Sequence, residues 1–95
     1  MNTFEIAEVN ILPVKPQNGL VAFASLVINN RLYVGNIAVY TSPTAKDGFR
    51  LVYPEKVLPN GKRINCVYPI TQEAGEVIKK AVIERYLGLM QRASY

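Results

Sequence analysis

Residues Leu20–Tyr40 read LVAFASLVINNRLYVGNIAVY, two apolar runs joined by an asparagine pair. The first run, Leu20–Ile28, is nearly all apolar, as in a strand buried on both faces or in a packed pair. Asn29 and Asn30 tolerate positive φ, which a tight hairpin demands, and so predict a two-residue turn. Leu32–Tyr40 then returns as the partner strand. Its even positions Leu32, Val34, Ala38 and Tyr40 are mostly apolar. So are Tyr33, Ile37 and Val39 at odd positions, so cover on both faces is expected.

Working outward, Glu5–Val14 mixes β-branched with polar residues and meets Pro13, the pattern of an edge strand. Lys15–Gly19 is rich in turn formers and reads as a loop, as does Ser42–Gly48. Phe49–Tyr53 is a short strand stopped by Pro54. Ile64–Tyr68 is its expected antiparallel partner, ended by Pro69.

The C-terminal segment is helical. Thr71 can cap it, and Glu73 faces the positive helix end. Ala74, Val77, Ile78, Ala81, Val82, Tyr86, Leu89 and Met90 recur at the spacing of one buried helix face. Lys79, Lys80 and Glu84 lie away from that stripe, and Glu76 with Lys80 forms an i, i+4 pair worth about 0.2–0.5 kcal/mol. Gly75 and Gly88 each weaken the helix by about 1 kcal/mol relative to alanine. Gly88 is a candidate break point, and Gln91–Tyr95 is expected to fray. Strands followed by one helix give the α+β class: an antiparallel sheet of about five strands with one C-terminal helix. The 95 residues suit a single domain spanning residues 1–95. One helix covers one sheet face only. A second copy of the chain would cover the rest, so a homodimer is predicted.

Composition excludes several kinds of chemistry. The chain has no histidine and one cysteine. That removes histidine general bases, Ser-His-Asp and Cys-His pairs, most zinc sites, internal disulfides and iron–sulfur clusters. There is no Gly-x-Gly-x-x-Gly and no Gly-Lys-Ser/Thr phosphate loop. We therefore expect no enzyme, no cofactor and no small-molecule substrate. No apolar run approaches the ~18 residues of a membrane span. The start MNTFEIAEV lacks a basic n-region, so no secretory signal is expected. With the lone Cys66, a cytoplasmic location is predicted.

The formal net charge is +4. Residues 1–40 are balanced, whereas residues 41–70 carry Lys46, Arg50, Lys56, Lys62 and Arg63 against Asp47 and Glu55. Most of the excess thus falls on the loop within Phe49–Ile70, FRLVYPEKVLPNGKRINCVYPI. Such a patch binds phosphates by releasing counterions, and two copies in a dimer would suit a duplex or two half-sites. Lys56, Lys62 and Arg63 are the expected phosphate contacts, with Arg50 and Lys46 as further candidates. Arg63 is the best placed to read a guanine edge, because its guanidinium bonds in a bidentate way. Asn60 or Asn65 could add adenine contacts. The plainer reading of Asn60-Gly61 is a turn, and of Pro54 and Pro59 a stiffened loop. The six tyrosines could stack on bases. Half-buried strand positions account more simply for Tyr33, Tyr40, Tyr53 and Tyr68, and the helix stripe for Tyr86. Cys66 reads as a small buried strand residue.

One resemblance bears on function. The strand Ile6–Val14, the run Val21-Ala22-Phe23-Ala24-Ser25, a turn and Val34-Gly35-Asn36-Ile37-Ala38-Val39 come in that order. Then come Pro54-x-Lys56, Pro59-Asn60-Gly61, Tyr68-Pro69-Ile70 and a helix ending near Glu84-Arg85-Tyr86. This set resembles the stage V sporulation protein G (SpoVG, septation regulator) family over roughly Glu5–Leu89. The resemblance implies a small dimeric α+β regulator of bacterial sporulation, septation or cell division that binds DNA or RNA. It assigns Lys56 to the family's basic loop. The following position, usually basic, is Val57 here. After the glycine the family pattern is acidic, aromatic and often basic, then Asp-Ile, whereas this chain has Lys62-Arg63-Ile64-Asn65-Cys66. Tyr68 stands where the family usually has histidine. Charge has moved along the loop, which marks a divergent member. The alternative is a protein-interaction module of the division or sporulation machinery that does not touch nucleic acid.

Overall fold

A computed structural model describes residues 4–93 of the chain. Its elements are β1 (Ile6–Gln17), β2 (Leu20–Ile28), β3 (Leu32–Thr41), β4 (Phe49–Val52), β5 (Glu55–Val57), β6 (Arg63–Asn65) and α1 (Gln72–Ala93). The first four strands form an antiparallel sheet in the order β1-β2-β3-β4, and β5 with β6 forms a separate two-stranded ribbon. The α+β class holds, with the strands divided between two sheets.

Turn chemistry sets the meander. Asn18 and Gly19 take positive φ between β1 and β2, as do Asn29 and Asn30 between β2 and β3. Arg31 N donates to Ile28 O at 2.9 Å across the second turn. Ile28 pairs with Leu32, so this loop is three residues long, with Arg31 added to the expected asparagine pair. Asn29 also holds the start of the sheet. Its side-chain oxygen accepts from Glu5 N at 2.7 Å, and its own amide donates to Glu5 O at 2.8 Å.

β1 runs through Lys15 and Pro16 to Gln17, beyond the expected end at Val14. As a sheet edge it leaves one side unpaired, which is where proline is tolerated. β4 pairs with β3, from Ala38↔Val52 to Thr41↔Phe49. This corrects the expected pairing of Phe49–Tyr53 with Ile64–Tyr68. The only strand in that later stretch is Arg63–Asn65, and its partner is β5.

Two bulges explain why apolar residues occupy both parities. In β3 the register passes from Leu26↔Val34 to Ala24↔Ile37, so β3 holds one extra residue. Asn36 sits there at φ 57°. Val34 before the bulge and Ile37 and Val39 after it therefore share the core face. β1 repeats the device, with Glu8 at φ 50° between Ile6 on one side and Val9 and Ile11 on the other, all three packed on the core.

The helix covers this face. Thr71 Oγ1 accepts from Ala74 N at 3.0 Å, the predicted cap, and Glu73 lies in the first turn. Ile78, Val82 and Ile83 are buried with Val21, Ala22, Ala24, Leu26, Val34, Ile37 and Val39. The buried stripe is thus turned toward Ile83, and Val77 stays exposed at its border. The helix runs unbroken through Gly88 to Ala93, because tertiary packing outweighs the propensity cost of one exposed glycine. Of the expected frayed end, Gln91–Ala93 are helical, while Ser94 and Tyr95 lie outside the described residues. Glu76 accepts from Gln72 Nε2 at 3.4 Å, and the expected Glu76–Lys80 pair does not form.

The opposite sheet face has no helix. Leu12 and Phe23 pair on it, as do Val27 and Tyr33. Leu12 is 66% and Tyr33 68% exposed. The Tyr33 ring lies over Gly35, where an added Cβ would come within 2.9 Å of it.

Candidate nucleic-acid interface

The ribbon that carries the cations is built by its turn. Pro59, Asn60 and Gly61 connect β5 to β6, with Gly61 at φ 84°. Leu58 N donates to Lys62 O and Gly61 N to Leu58 O, both at 2.8 Å, and Lys62 N donates to Asn60 Oδ1 at 2.9 Å. Asn60-Gly61 is therefore turn chemistry, and the Asn60 amide oxygen is occupied. Cys66 N donates to Pro54 O at 3.1 Å and closes the base of the ribbon. Cys66 itself is exposed, which corrects its reading as a buried strand residue: it falls one position past β6, on an element with no core of its own.

All six strand residues of the ribbon are exposed. The register Glu55↔Asn65, Lys56↔Ile64 and Val57↔Arg63 sorts them between two faces. Side chains alternate along a strand, so Lys56 and Ile64 share one face, and Glu55, Val57, Arg63 and Asn65 share the other. Lys62 stands at the turn between them. The three cations are thus gathered on one short element but do not converge on one point.

Arg63 Nη1 lies 3.0 Å from Glu55 Oε1. This diagonal pair ties down the guanidinium expected to read a base edge. A carboxylate two residues from the partner position in a narrow ribbon was the signal available in the sequence. Val57 and Ile64, at the positions just after Lys56 and Arg63, are exposed apolar side chains.

Arg50 and Lys46 stand apart from the ribbon. Arg50 belongs to β4 and its guanidinium carbon lies 4.6 Å from the Tyr40 ring centroid, a cation–π contact. Lys46 is exposed in the loop between β3 and β4. That loop is closed by Ser42 N donating to Gly48 O at 2.7 Å and Phe49 N to Asp47 Oδ1 at 3.1 Å. Lys79 Nζ on the helix lies 3.1 Å from Asp47 Oδ1. Slight burial would raise the Asp47 pKa, but the Phe49 amide and the Lys79 ammonium outweigh it and hold the carboxyl below its ordinary value.

The tyrosines divide. Tyr40, Tyr53 and Tyr86 are half-buried, and Tyr86 meets Phe49 edge-on at 5.6 Å between centroids. Tyr33 and Tyr68 are more than half exposed, against expectation. Tyr33 stands on the uncovered sheet face, and Tyr68 lies past the end of β6 rather than in a strand. Burial raises the Tyr53 pKa, and its hydroxyl is buried with no hydrogen-bond partner.

The family model for SpoVG matches residues 4–87. The chain belongs to the SpoVG family. A Treponema denticola protein named "Putative septation protein SpoVG" is 35% identical over 82 residues, which are 86% of this chain and 85% of that protein. Proteins of the same name from Caldicellulosiruptor bescii and Clostridium perfringens are each 26% identical, over 86% and 85% of this chain and 90% and 87% of theirs. The SpoVG match takes in the sheet, the ribbon and most of the helix, so the ribbon belongs to the family domain. Among the described residues, no helix is long and apolar enough to cross a membrane.

Proposed function

We propose that this SpoVG-family chain is a small dimeric regulator that binds DNA or RNA through the β5–β6 ribbon and serves septation, sporulation or gene control. The observation that carries this reading is the ribbon itself: Lys56, Lys62 and Arg63 stand on an exposed element with Glu55 as its one carboxylate. A two-stranded ribbon has the cross-section that a DNA major groove admits. Cations on both of its faces and at its tip suit contact with phosphates on either side of such a groove. The septation names of the relatives support the cellular role. Nothing in the residues supports catalysis, and a cytoplasmic place fits the reading.

The test is a polarisation titration with random duplex DNA, single-stranded DNA and RNA at two salt concentrations. Binding should weaken steeply with salt, with a log–log slope of about −2 to −3 for the three phosphate contacts of one ribbon and roughly twice that for a dimer that engages both. Lys62→Glu combined with Arg63→Glu should abolish it. Binding unchanged in that double variant would remove the ribbon from the interface. The second reading, a protein-interaction module, is favoured by Leu12 and Tyr33 on the uncovered sheet face. It predicts partner capture that salt does not disturb.

A further inference from the structure

The uncovered face of the sheet carries aromatic rings together with unused polar groups. Leu12, Phe23 and Tyr33 line one open groove of about 340 Å³ with Asn10, Ser25 and Asn36. A cavity of ~150 Å³ accepts a benzene ring, so this groove has room for a base of two fused rings. No charged residue lines it. Tyr33 reaches over Gly35, which has no side chain to displace it, so the ring is exposed and yet braced. Asn36 enters the groove from the β3 bulge. Among the described residues, Ser25 and Asn36 form no side-chain hydrogen bond. Asn10 uses only its amide nitrogen, which donates to Glu8 O at 3.4 Å.

A cation stands farther along the same face. Val39, Phe49 and Leu51 pack on the core, so Tyr40 and Arg50 face the other way, with Phe23. Arg50 is exposed, is held over the Tyr40 ring, and has no carboxylate partner among the described residues. β4, which carries it, ends two residues before the basic ribbon begins. The cavity on the covered side of the sheet offers a contrast. It measures about 240 Å³, lies beside exposed Ile70, and is lined by apolar residues and two tyrosines, with no amide and no cation.

We propose that the uncovered face is a second nucleic-acid surface, on which unpaired bases of a single strand stack. One base lies in the groove against Tyr33 and Phe23, with its edge bonded by the side chains of Asn10, Ser25 and Asn36. Arg50 meets the backbone of the same strand. The occupant follows from the lining. An unpaired base has a flat π face for the rings and an edge of donors and acceptors for the amides and the hydroxyl. A duplex keeps its base faces stacked inside and offers none to Tyr33. A lipid surface would bury the three polar side chains without partners. The proposal rests on the nucleic-acid reading above. It adds a surface distinct from the ribbon and names the class of strand that it takes.

The test is a polarisation titration of the full chain with a labelled pyrimidine RNA of about 12 nucleotides and with a random duplex DNA. Tyr33→Ala should weaken single-strand binding about 5-fold or more and leave duplex affinity within about twofold. Tyr33→Phe keeps the ring and should bind like the parent. Asn36→Gly tolerates the positive φ and removes the amide, and it should also weaken the single strand alone. Neither loss should change the salt slope, because stacking and base-edge bonds release no counterion. A parent that binds neither probe overturns the nucleic-acid reading and this inference together. A parent that binds only the duplex overturns this inference alone. So does a Tyr33→Ala variant that binds the single strand like the parent, loses both probes equally, or shows an altered salt slope. Sedimentation of the same variant checks for another occupant: an oligomeric state different from the parent's would mean that a second copy covers the face, and would overturn the stacking surface.

Discussion

The main sheet and the ribbon are both antiparallel, and they are stabilised by different physics. Ala22, Ala24, Leu26, Ile37 and Val39 of the sheet are buried under Ile78, Val82 and Ile83. The ribbon buries none of its strand residues. It is held by the Leu58–Lys62 turn, the Cys66–Pro54 hydrogen bond at its base and one exposed ion pair. A two-stranded element is marginal alone, so the ribbon exists because the folded sheet holds its two ends. Residue choice in the sheet answers to packing. In the ribbon it is free of packing, which is why charge can collect there.

Substitutions can break this contrast. Leu26 is fully buried, so Leu26→Ala should cost about 2–5 kcal/mol by lost transfer and a residual cavity. Ile64→Ala on the ribbon should stay within about 0.5 kcal/mol. Urea denaturation of both variants checks the pair, and equal losses would mean that the ribbon packs on something. A smaller effect is expected at Glu55. Glu55→Gln should change stability by less than about 1 kcal/mol, because exposed pairs contribute little. By freeing Arg63 and removing a like charge to phosphate, it should tighten nucleic-acid binding in the polarisation assay. Weaker binding would mean that Glu55 positions Arg63 for contact.

The smallest effect concerns the loop before β4. Asp47 has a folded pKa below its ordinary 3.8, so its contribution is present above that pH and is lost as pH falls through the folded value. Asp47→Asn should therefore be slightly less stable than the parent at neutral pH and equal to it in strong acid. Thermal melts at the two pH values test this. A gap that persists in acid would locate the effect in the loop's hydrogen bonds rather than in the Lys79 pair.

The hairpin Leu20–Tyr40 and the capped helix were legible because each carries a strong local signal. The asparagine pair supplies positive φ, and Thr71 stands before a helical apolar period. The bulge in β1 was hidden, because Glu8 takes positive φ with no glycine or asparagine to mark it, whereas Gly35-Asn36 did mark the bulge in β3 but lay inside an apolar run that reads as continuous strand. The ribbon was hidden for another reason. Strands of three residues carry no measurable alternation, and Pro54 and Pro59 read as stops. So Lys56, Lys62 and Arg63 were visible as candidates, but not the two faces that divide them or the carboxylate that holds Arg63.

Local chemistry and periodicity are written in neighbouring residues, and the sequence alone determined the α+β class, the turns, the helix and the basic stretch between residues 49 and 70. Tertiary structure alone decided which strands pair, that β4 joins β3 while β6 joins β5, and that Ile70 stands exposed beside a pocket. Those outcomes depend on long-range register and on which face the helix covers. Both are settled by the whole chain competing to bury apolar surface, and no short window of sequence records that competition.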